Sequence, residues 1–212
     1  NKNTGTAIPP TTIPLVIGWT NTPSEHASWS FKSEESALYL VGARQAALGA
    51  TDIVYETKGP DCLDGELFTV DYDVANHEAA ATRDAVRAGY VLAGNAIEEG
   101  GLANAALEMM ANTRTPIRAT LDTGARMSRE QLTPVQNLFS ESHGVVLQVA
   151  KDVRHDFFAF MRSRGVRSYE IGNVVQSRHP GLSFAGGSWA FASHDEIRKH
   201  YAGKLQTMVG SV

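Results

Sequence analysis

Cysteine is almost absent from this sequence, since Cys62 is the only one among its 212 residues. A single cysteine cannot form a disulfide within the chain, and it excludes a metal site built from several cysteines. Acidic neighbours at Asp61 and Asp64 argue against a nucleophilic role for Cys62. A chain without disulfides fits a reducing compartment, so we expect a cytoplasmic protein.

Long apolar runs and a strong net charge are also lacking. No run approaches the roughly 20 residues that a membrane-spanning helix needs. The net charge is −4 and the pI about 6.0, which gives no general attraction to nucleic acid or to anionic membranes. We therefore expect neither as a partner. The apolar fraction of 42% allows a sizeable core, and the length fits one domain or one domain with an appendage.

Several well-known catalytic motifs are missing. Neither G-x-x-x-x-G-K-[ST] nor G-x-G-x-x-G occurs, so the two standard nucleotide-binding loops are excluded. No G-x-S-x-G surrounds a serine, which excludes a nucleophile elbow. None of the seven histidines has a metal-ligand spacing to a second histidine or to Cys62, and we predict no metal ligands. His143, at a predicted turn, is a candidate acid or base, although a turn residue is the simpler interpretation.

The stretch that is present and informative is 94–111, where a strand end is followed by two glycines and a helix. Leu102, Ala106 and Met109 recur at helical spacing, so Gly100 and Gly101 stand where this helix begins. Free amides and the helix dipole favour an anion there, and glycine lets a ligand approach closely. The pattern predicts a phosphate seat, with a simple tight turn as the alternative.

Acidic residues precede these glycines. Glu98 and Glu99 would repel a phosphate unless a cation intervened, so they either contribute to a charged site or belong to a solvated loop. Later in the chain, Ser140, Glu141 and Ser142 offer two hydroxyls and a carboxylate to a ligand.

Hydrophobic patterning predicts an α+β fold, a mixed sheet covered by helices on one face. Strands are expected at 13–19, 37–41, 53–55, 116–121, 144–150 and 167–175, and helices at 43–51, 73–91, 100–112, 128–139, 152–164 and 193–208. Residues 1–30 are interpreted as a linker and first strand, and residues 31–212 as the domain. The polar, proline-rich beginning suggests a piece of a longer polypeptide.

Seven stretches resemble one family in the right order. The family is that of the AIR-synthase-like modules. Residues 8–18 resemble the linker of these modules, 31–42 their F-K…L-Y-L-L-G opening, 48–51 their L-G-G-S turn and 99–109 the start of their D/E-G-G-L-A helix. Residues 138–142 resemble L-F-x-E-S, 171–172 the late I-G, and 193–205 the S-x-x-E-L-R-x-x-Y-x-x-x-L tail.

The resemblance implies the C-terminal domain of such a module, and the pattern is most similar to the phosphoribosylformylglycinamidine synthases. It implies an ATP- and Mg²⁺-dependent ligase of purine biosynthesis, which converts formylglycinamide ribonucleotide and glutamine into the amidine. The implied partners are the module's own N-terminal half, which carries most of the ATP and magnesium sites, and a glutaminase domain or subunit. An isolated half-module would be inactive, and exposure of its docking surface would favour self-association.

The resemblance also implies a site and a departure from the family pattern. Gly100, Gly101 and Leu102 would donate amides to a substrate phosphate, with Asn95, Glu98, Glu99, Ser140, Glu141 and Ser142 lining the cleft. Gly101→Val should then abolish binding and spare the fold. Where the family commonly has His-Asp, this chain has Asn95 and Ala96. This departure leaves a degenerate structural module open as an alternative. The same half-module of another ATP-using relative is a further alternative.

Overall fold

The computed structural model describes Leu15, Thr22, Cys62 and residues 17–19, 26–33, 35–59, 64–125, 127–186 and 190–209, with backbone alone at 190 and 202–209. The described residues contain six helices and seven strands. The strands form one sheet, and the helices pack against it. In chain order the elements are β1 Ser36–Val41, α1 Asp52–Lys58, α2 Tyr72–Arg87, β2 Val91–Ala96, α3 Gly101–Ala111, β3 Ile117–Asp122, α4 Pro134–Phe139, β4 Val145–Ala150, α5 Arg154–Ser163, β5 Ser168–Gln176, β6 Gly181–Ala185, β7 Ala190–Ser193 and α6 His194–Val209.

The sheet is mixed, with strand order β2-β4-β1-β5-β3-β6-β7. β4 and β5 flank β1 and both run antiparallel to it, while β3 and β6 form the parallel pair. β2 is antiparallel to β4 and therefore runs in the same direction as β1. The last residues of β1 and β2 consequently lie at the end of the sheet where β4 begins.

Helices cover both faces of the sheet. Leu38 and Leu40 of β1 pack in a core with α3, α6 and the neighbouring strands. The alternate residues Ala37, Tyr39 and Val41 point the other way, into a second core with α2 and α5. The α+β mixed sheet is confirmed, whereas the expectation of helices on a single face is corrected. β1 is buried on both faces, and this explains its uninterrupted apolar sequence.

Several predicted elements agree with the structure and others do not. The strands predicted at 37–41, 116–121, 144–150 and 167–175 are confirmed as β1, β3, β4 and β5. Residues 43–51 form no helix, and the segment predicted as extended at 53–55 lies inside α1. The helix expected from residue 128 begins only at Pro134, where Thr133 and Gln136 form the capping box. β6 and β7 were not predicted.

The N-terminal predictions are tested only in part. Of the strand predicted at 13–19, Leu15 and residues 17–19 lie outside any strand, and Trp19 is 90% exposed. The other members of that segment lie outside the described residues. The domain boundary after residue 30 stays a prediction, although Ser28 already pairs with Ala93 of β2 and accepts a hydrogen bond from the Gly94 amide at 2.9 Å.

Candidate functional site

The two glycines between β2 and α3 both adopt left-handed backbone conformations. Gly100 has φ 75° and Gly101 has φ 71°, values that side chains other than glycine rarely allow. A Cβ on Gly101 would lie 2.6 Å from the carbonyl oxygen of Leu138 and 2.9 Å from the Cα of Phe139. Close packing against the end of α4 therefore accounts for the glycine at 101. The expectation that Gly101→Val would spare the fold is wrong.

An anion does lie at the start of α3, and it belongs to the chain itself. The Glu141 carboxylate accepts a hydrogen bond from the Gly100 amide at 2.9 Å. The same oxygen accepts one from the amide of Asp52, the first residue of α1, also at 2.9 Å. One carboxylate thus joins the starts of two helices, a position that the helix dipole and unpaired amides favour for negative charge.

The other two predicted amide donors are covered. The Gly101 amide donates to the carbonyl oxygen of Glu98 at 3.0 Å. Gly101 is buried and Leu102 is 0% exposed, because α3 packs into the core directly from its first turn. In this conformation Glu141 occupies the start of α3, so the three predicted donors offer no free backbone amide to an external anion.

Ser140 and Ser142 lie on either side of Glu141 but turn inward. Both are fully buried, and their hydroxyls are 3.2 Å apart, with Ser140 donating to Ser142. Their carbonyl oxygens accept hydrogen bonds from the guanidinium of Arg44, from Nη1 to Ser142 at 2.9 Å and from Nη2 to Ser140. Of the three residues predicted at this segment, the structure brings only Glu141 to the start of α3.

Asn95, Glu98 and Glu99 do not form one site with the start of α3. The Asn95 amide nitrogen donates to Glu108 at 2.9 Å and to the Ala105 carbonyl at 3.2 Å, so it binds the middle of α3 rather than its start. Glu98 and Glu99 are exposed. In the described part of the chain, no three His, Cys, Asp or Glu side chains are grouped to hold a metal ion.

Arg44 is the residue that the sequence did not indicate. It is only 1% exposed, although arginine is among the residues least often buried. Burial lowers the pKa of Arg44 to about 10, so the side chain stays charged at neutral pH. Among the described residues, its Nε has no hydrogen-bond partner and no ion pair includes it. A single arginine in a loop carries no periodicity, so no sequence pattern could have revealed it.

An open cleft of about 970 Å³ lies beside Arg44, between α2, the loop after β1 and the loop after α5. Arg129 and Arg167 line it together with four carboxylates: Glu66, Asp73, Glu78 and Glu130. The Glu78 carboxylate accepts a hydrogen bond from Nε2 of His143 at 3.0 Å. This contact ties the start of β4 to α2, which supports the interpretation of His143 as a structural turn residue.

The fold and the glycine-to-helix junction after β2 agree with one protein family. Residues 45–184 match the family model described as AIR synthase related protein, C-terminal domain. The chain therefore belongs to this family, as its motifs indicated.

Relatives that are similar in sequence include phosphoribosylformylglycinamidine synthase subunits. The chain is 29% identical to subunit PurL of Parafrankia sp. (strain EAN1pec) in an alignment that is 212 residues long and covers 99% of the chain and 26% of the relative. It is 26% identical to subunit PurL of Thermomicrobium roseum in an alignment that is 184 residues long and covers 84% of the chain and 24% of the relative. The chain thus spans about a quarter of the length of these relatives.

Solved structures share the fold at low sequence identity. Thermotoga maritima PurL complexed with FGAR superimposes with a TM-score of 0.68 at 13% identity, covering 81% of this chain and 29% of that one. Thermotoga maritima PurL complexed with ATP gives a TM-score of 0.64 at 14% identity, covering 83% of this chain and 28% of that one.

Among the described residues, no helix has both the length and the apolar character needed to cross a membrane.

Proposed function

We propose that this chain is the C-terminal part of one module of a phosphoribosylformylglycinamidine synthase. The observation that carries the proposal is the alignment to a synthase subunit along 99% of the chain, which includes both the α3 junction and the Glu141 segment. The whole enzyme would convert formylglycinamide ribonucleotide, glutamine and ATP into the amidine, glutamate, ADP and phosphate. It would act in the cytoplasm, as an amidine-forming ligase of purine biosynthesis.

The remaining parts of such an enzyme would lie outside this chain. ATP and Mg²⁺ would be held mainly by the module's N-terminal half, and ammonia would come from a glutaminase domain or subunit; one neighbour in fold is the PurLQS complex of Thermotoga maritima. The described residues contain no group of three His, Cys, Asp or Glu side chains that could hold a metal ion, so no residue of this chain is proposed as a magnesium ligand.

The contribution of this chain would be one wall of the substrate cleft. Gly100, Gly101 and Leu102 remain the proposed amide donors for a substrate phosphate, with Glu98, Glu99 and Asn95 beside them. Because Glu141 holds the Gly100 amide and Leu102 is buried, binding a phosphate there requires Glu141 to move. An anion that replaces the carboxylate would meet the same favourable helix dipole.

A second candidate is a structural module that binds no substrate. Asn95 and Ala96 replace the His-Asp pair that the family commonly carries, and Asn95 is bound to Glu108 and Ala105. The closed start of α3 favours this alternative as well. In that case Glu141 would serve only to join α1 to α3.

Turnover by the full-length polypeptide that contains this chain tests the synthase assignment. With formylglycinamide ribonucleotide, ATP, Mg²⁺ and ammonium, we expect ADP release that depends on the ribonucleotide. A folded polypeptide that forms no amidine would refute the synthase assignment. Calorimetric titration of the chain alone with the ribonucleotide, and separately with ATP and Mg²⁺, then tests the proposed phosphate site. A heat of binding with the ribonucleotide would place phosphate binding in this half of the module. No heat of binding with either ligand would favour the structural module.

A further inference from the structure

The segment 140–142 is held from its buried side by one cation. The Arg44 guanidinium donates to the carbonyl oxygens of Ser142 and Ser140, so the backbone on both sides of Glu141 is fixed by the same side chain. A planar guanidinium suits two acceptors at once, which a lysine ammonium on a flexible stem does not. The backbone amide of Arg44 in turn donates to the Met127 carbonyl at 2.9 Å, which anchors the arginine to the loop after β3.

Burial of this guanidinium has a free-energy cost. No ion pair among the described residues includes Arg44, and two neutral carbonyls only partly replace the hydration that it loses. On the opposite side of the same segment, the Glu141 carboxylate accepts from Gly100 and Asp52, both at 2.9 Å. The carboxylate is part-exposed, and an unrestrained glutamate there would spend much of its time in water.

We propose that Arg44 is a positioning residue: through the carbonyls of Ser140 and Ser142 it sets Glu141 against the starts of α1 and α3, and so controls access of an anion to the Gly100 amide. The placement of Glu141 by Arg44 depends only on the observed hydrogen bonds. The control of anion access also rests on the proposed function, because it requires the phosphate site at Gly100. Loss of Arg44 frees the segment, and Glu141 no longer holds the two amides.

Amide hydrogen exchange of this chain, followed by NMR, tests the placement of Glu141 by Arg44. In Arg44→Met we expect exchange at Gly100 and Asp52 to rise about tenfold more than at the central strand residue Val149, because two charge-assisted bonds are weakened locally. Glu141→Gln keeps the shape but removes the charge, and should accelerate the same two amides. Arg167→Met, which removes an exposed arginine from the neighbouring cleft, should leave them unchanged.

A purely structural role for Arg44 gives a different result. Exchange that rises by the same factor at Gly100, Asp52 and Val149 would overturn the proposal, and so would unchanged exchange at Gly100 and Asp52 in a folded Arg44→Met chain. If Arg44→Met does not fold, Arg44→Lys decides by the same comparison, because it keeps the charge and loses the fork between the two carbonyls.

Titration with inorganic phosphate, followed at the Gly100 amide resonance, tests the control of anion access. Removal of the competing carboxylate in Glu141→Gln should tighten phosphate binding relative to the unmodified chain, and Arg44→Met should do the same. Equal binding in all variants would refute control of access. Absence of phosphate binding in every chain would refute the phosphate seat, while the exchange comparison still decides whether Arg44 positions Glu141.

Discussion

At the scale of single residues, Gly101 shows how a glycine that indicates a ligand can instead be required by packing. Its left-handed backbone and the 2.6 Å approach of a built Cβ to the Leu138 carbonyl both exclude a side chain. We expect Gly101→Ala to lower the free energy of unfolding by about 2–4 kcal/mol, the sum of backbone strain and overpacking. Denaturant unfolding measures this difference.

Gly89 provides the matched control for that substitution. It has φ 78°, almost the same backbone as Gly101, but a Cβ there would meet nothing within 4 Å. Gly89→Ala should therefore cost only the conformational part, about 1–2 kcal/mol. Equal losses for the two variants would show that contact with α4 contributes nothing.

Tyr39 is predicted to titrate late and to couple alkaline pH to stability. Burial, followed by the nearby Glu170 carboxylate, raises the pKa of Tyr39 to about 12. The folded chain thus keeps a proton that the unfolded chain releases near its ordinary pKa of about 10. The resulting stabilisation is complete below about pH 10 and is lost as the pH rises through about 12.

Phenolate absorbance measures this titration directly. Tyr39→Phe should remove one late step and reduce the loss of stability between about pH 10 and 12. Tyr72→Phe, at an exposed position, should leave the late step in place. Tyr201, whose pKa burial and Glu108 also raise to about 12, keeps a second late step in both variants.

At the scale of elements, helix α2 is capped by Asp71, which lies outside the range predicted for this helix. Asp73 is the first residue of the predicted helix, yet the side chain of Asp71 accepts hydrogen bonds from the amides of Asp73 and Val74, both at 3.1 Å. Asp71→Ala should cost about 1 kcal/mol of stability. Asp73→Ala, which removes only a charge from the first turn, should cost no more than about 0.3–1 kcal/mol. Thermal unfolding followed by circular dichroism compares them, and the reverse ranking would place the cap at Asp73.

Helix α5 packs against the sheet through one face. Phe157 is fully buried and its ring lies 4.9 Å from that of Tyr39, while the adjacent Phe158 is 47% exposed. Phe157→Ala should lower the free energy of unfolding by about 3–5 kcal/mol, and Phe158→Ala by no more than about 0.5 kcal/mol. Comparable losses in denaturant unfolding would contradict this orientation of α5.

At the scale of the whole molecule, large apolar side chains remain exposed between α1 and the start of α2. They are Tyr55, Leu67, Phe68, Tyr72 and Val74. Because exposed apolar surface of this kind favours association, we expect the isolated chain to self-associate as its concentration rises. Leu67→Ser combined with Tyr72→Ser should shift sedimentation towards the monomer, whereas Val135→Ser, at an exposed position on α4, should not. A chain that stays monomeric at every concentration would refute the expectation.

The sequence by itself determined the class of fold, the strands β1, β3, β4 and β5, and the helix that begins at Gly101. These features depend on local periodicity, and on two glycines whose backbone few other residues can adopt. The family also followed from sequence, because seven short motifs occur in the right order. The prediction of helices on only one face was wrong, although an uninterrupted apolar run such as that of β1 is typical of a strand that is buried on both faces.

Only the tertiary structure decided what the conspicuous residues of the site do. Ser140 and Ser142 are polar and close to Glu141 in sequence, yet burial turns their hydroxyls inward and leaves their carbonyls to Arg44. Glu141 meets Gly100 and Asp52 across 41 and 89 positions of sequence, and no pattern within a short window carries such a contact. The physical reason is that a hydrogen bond depends on distance in space, which is fixed when β4 pairs beside β1 and β2 and brings their ends together.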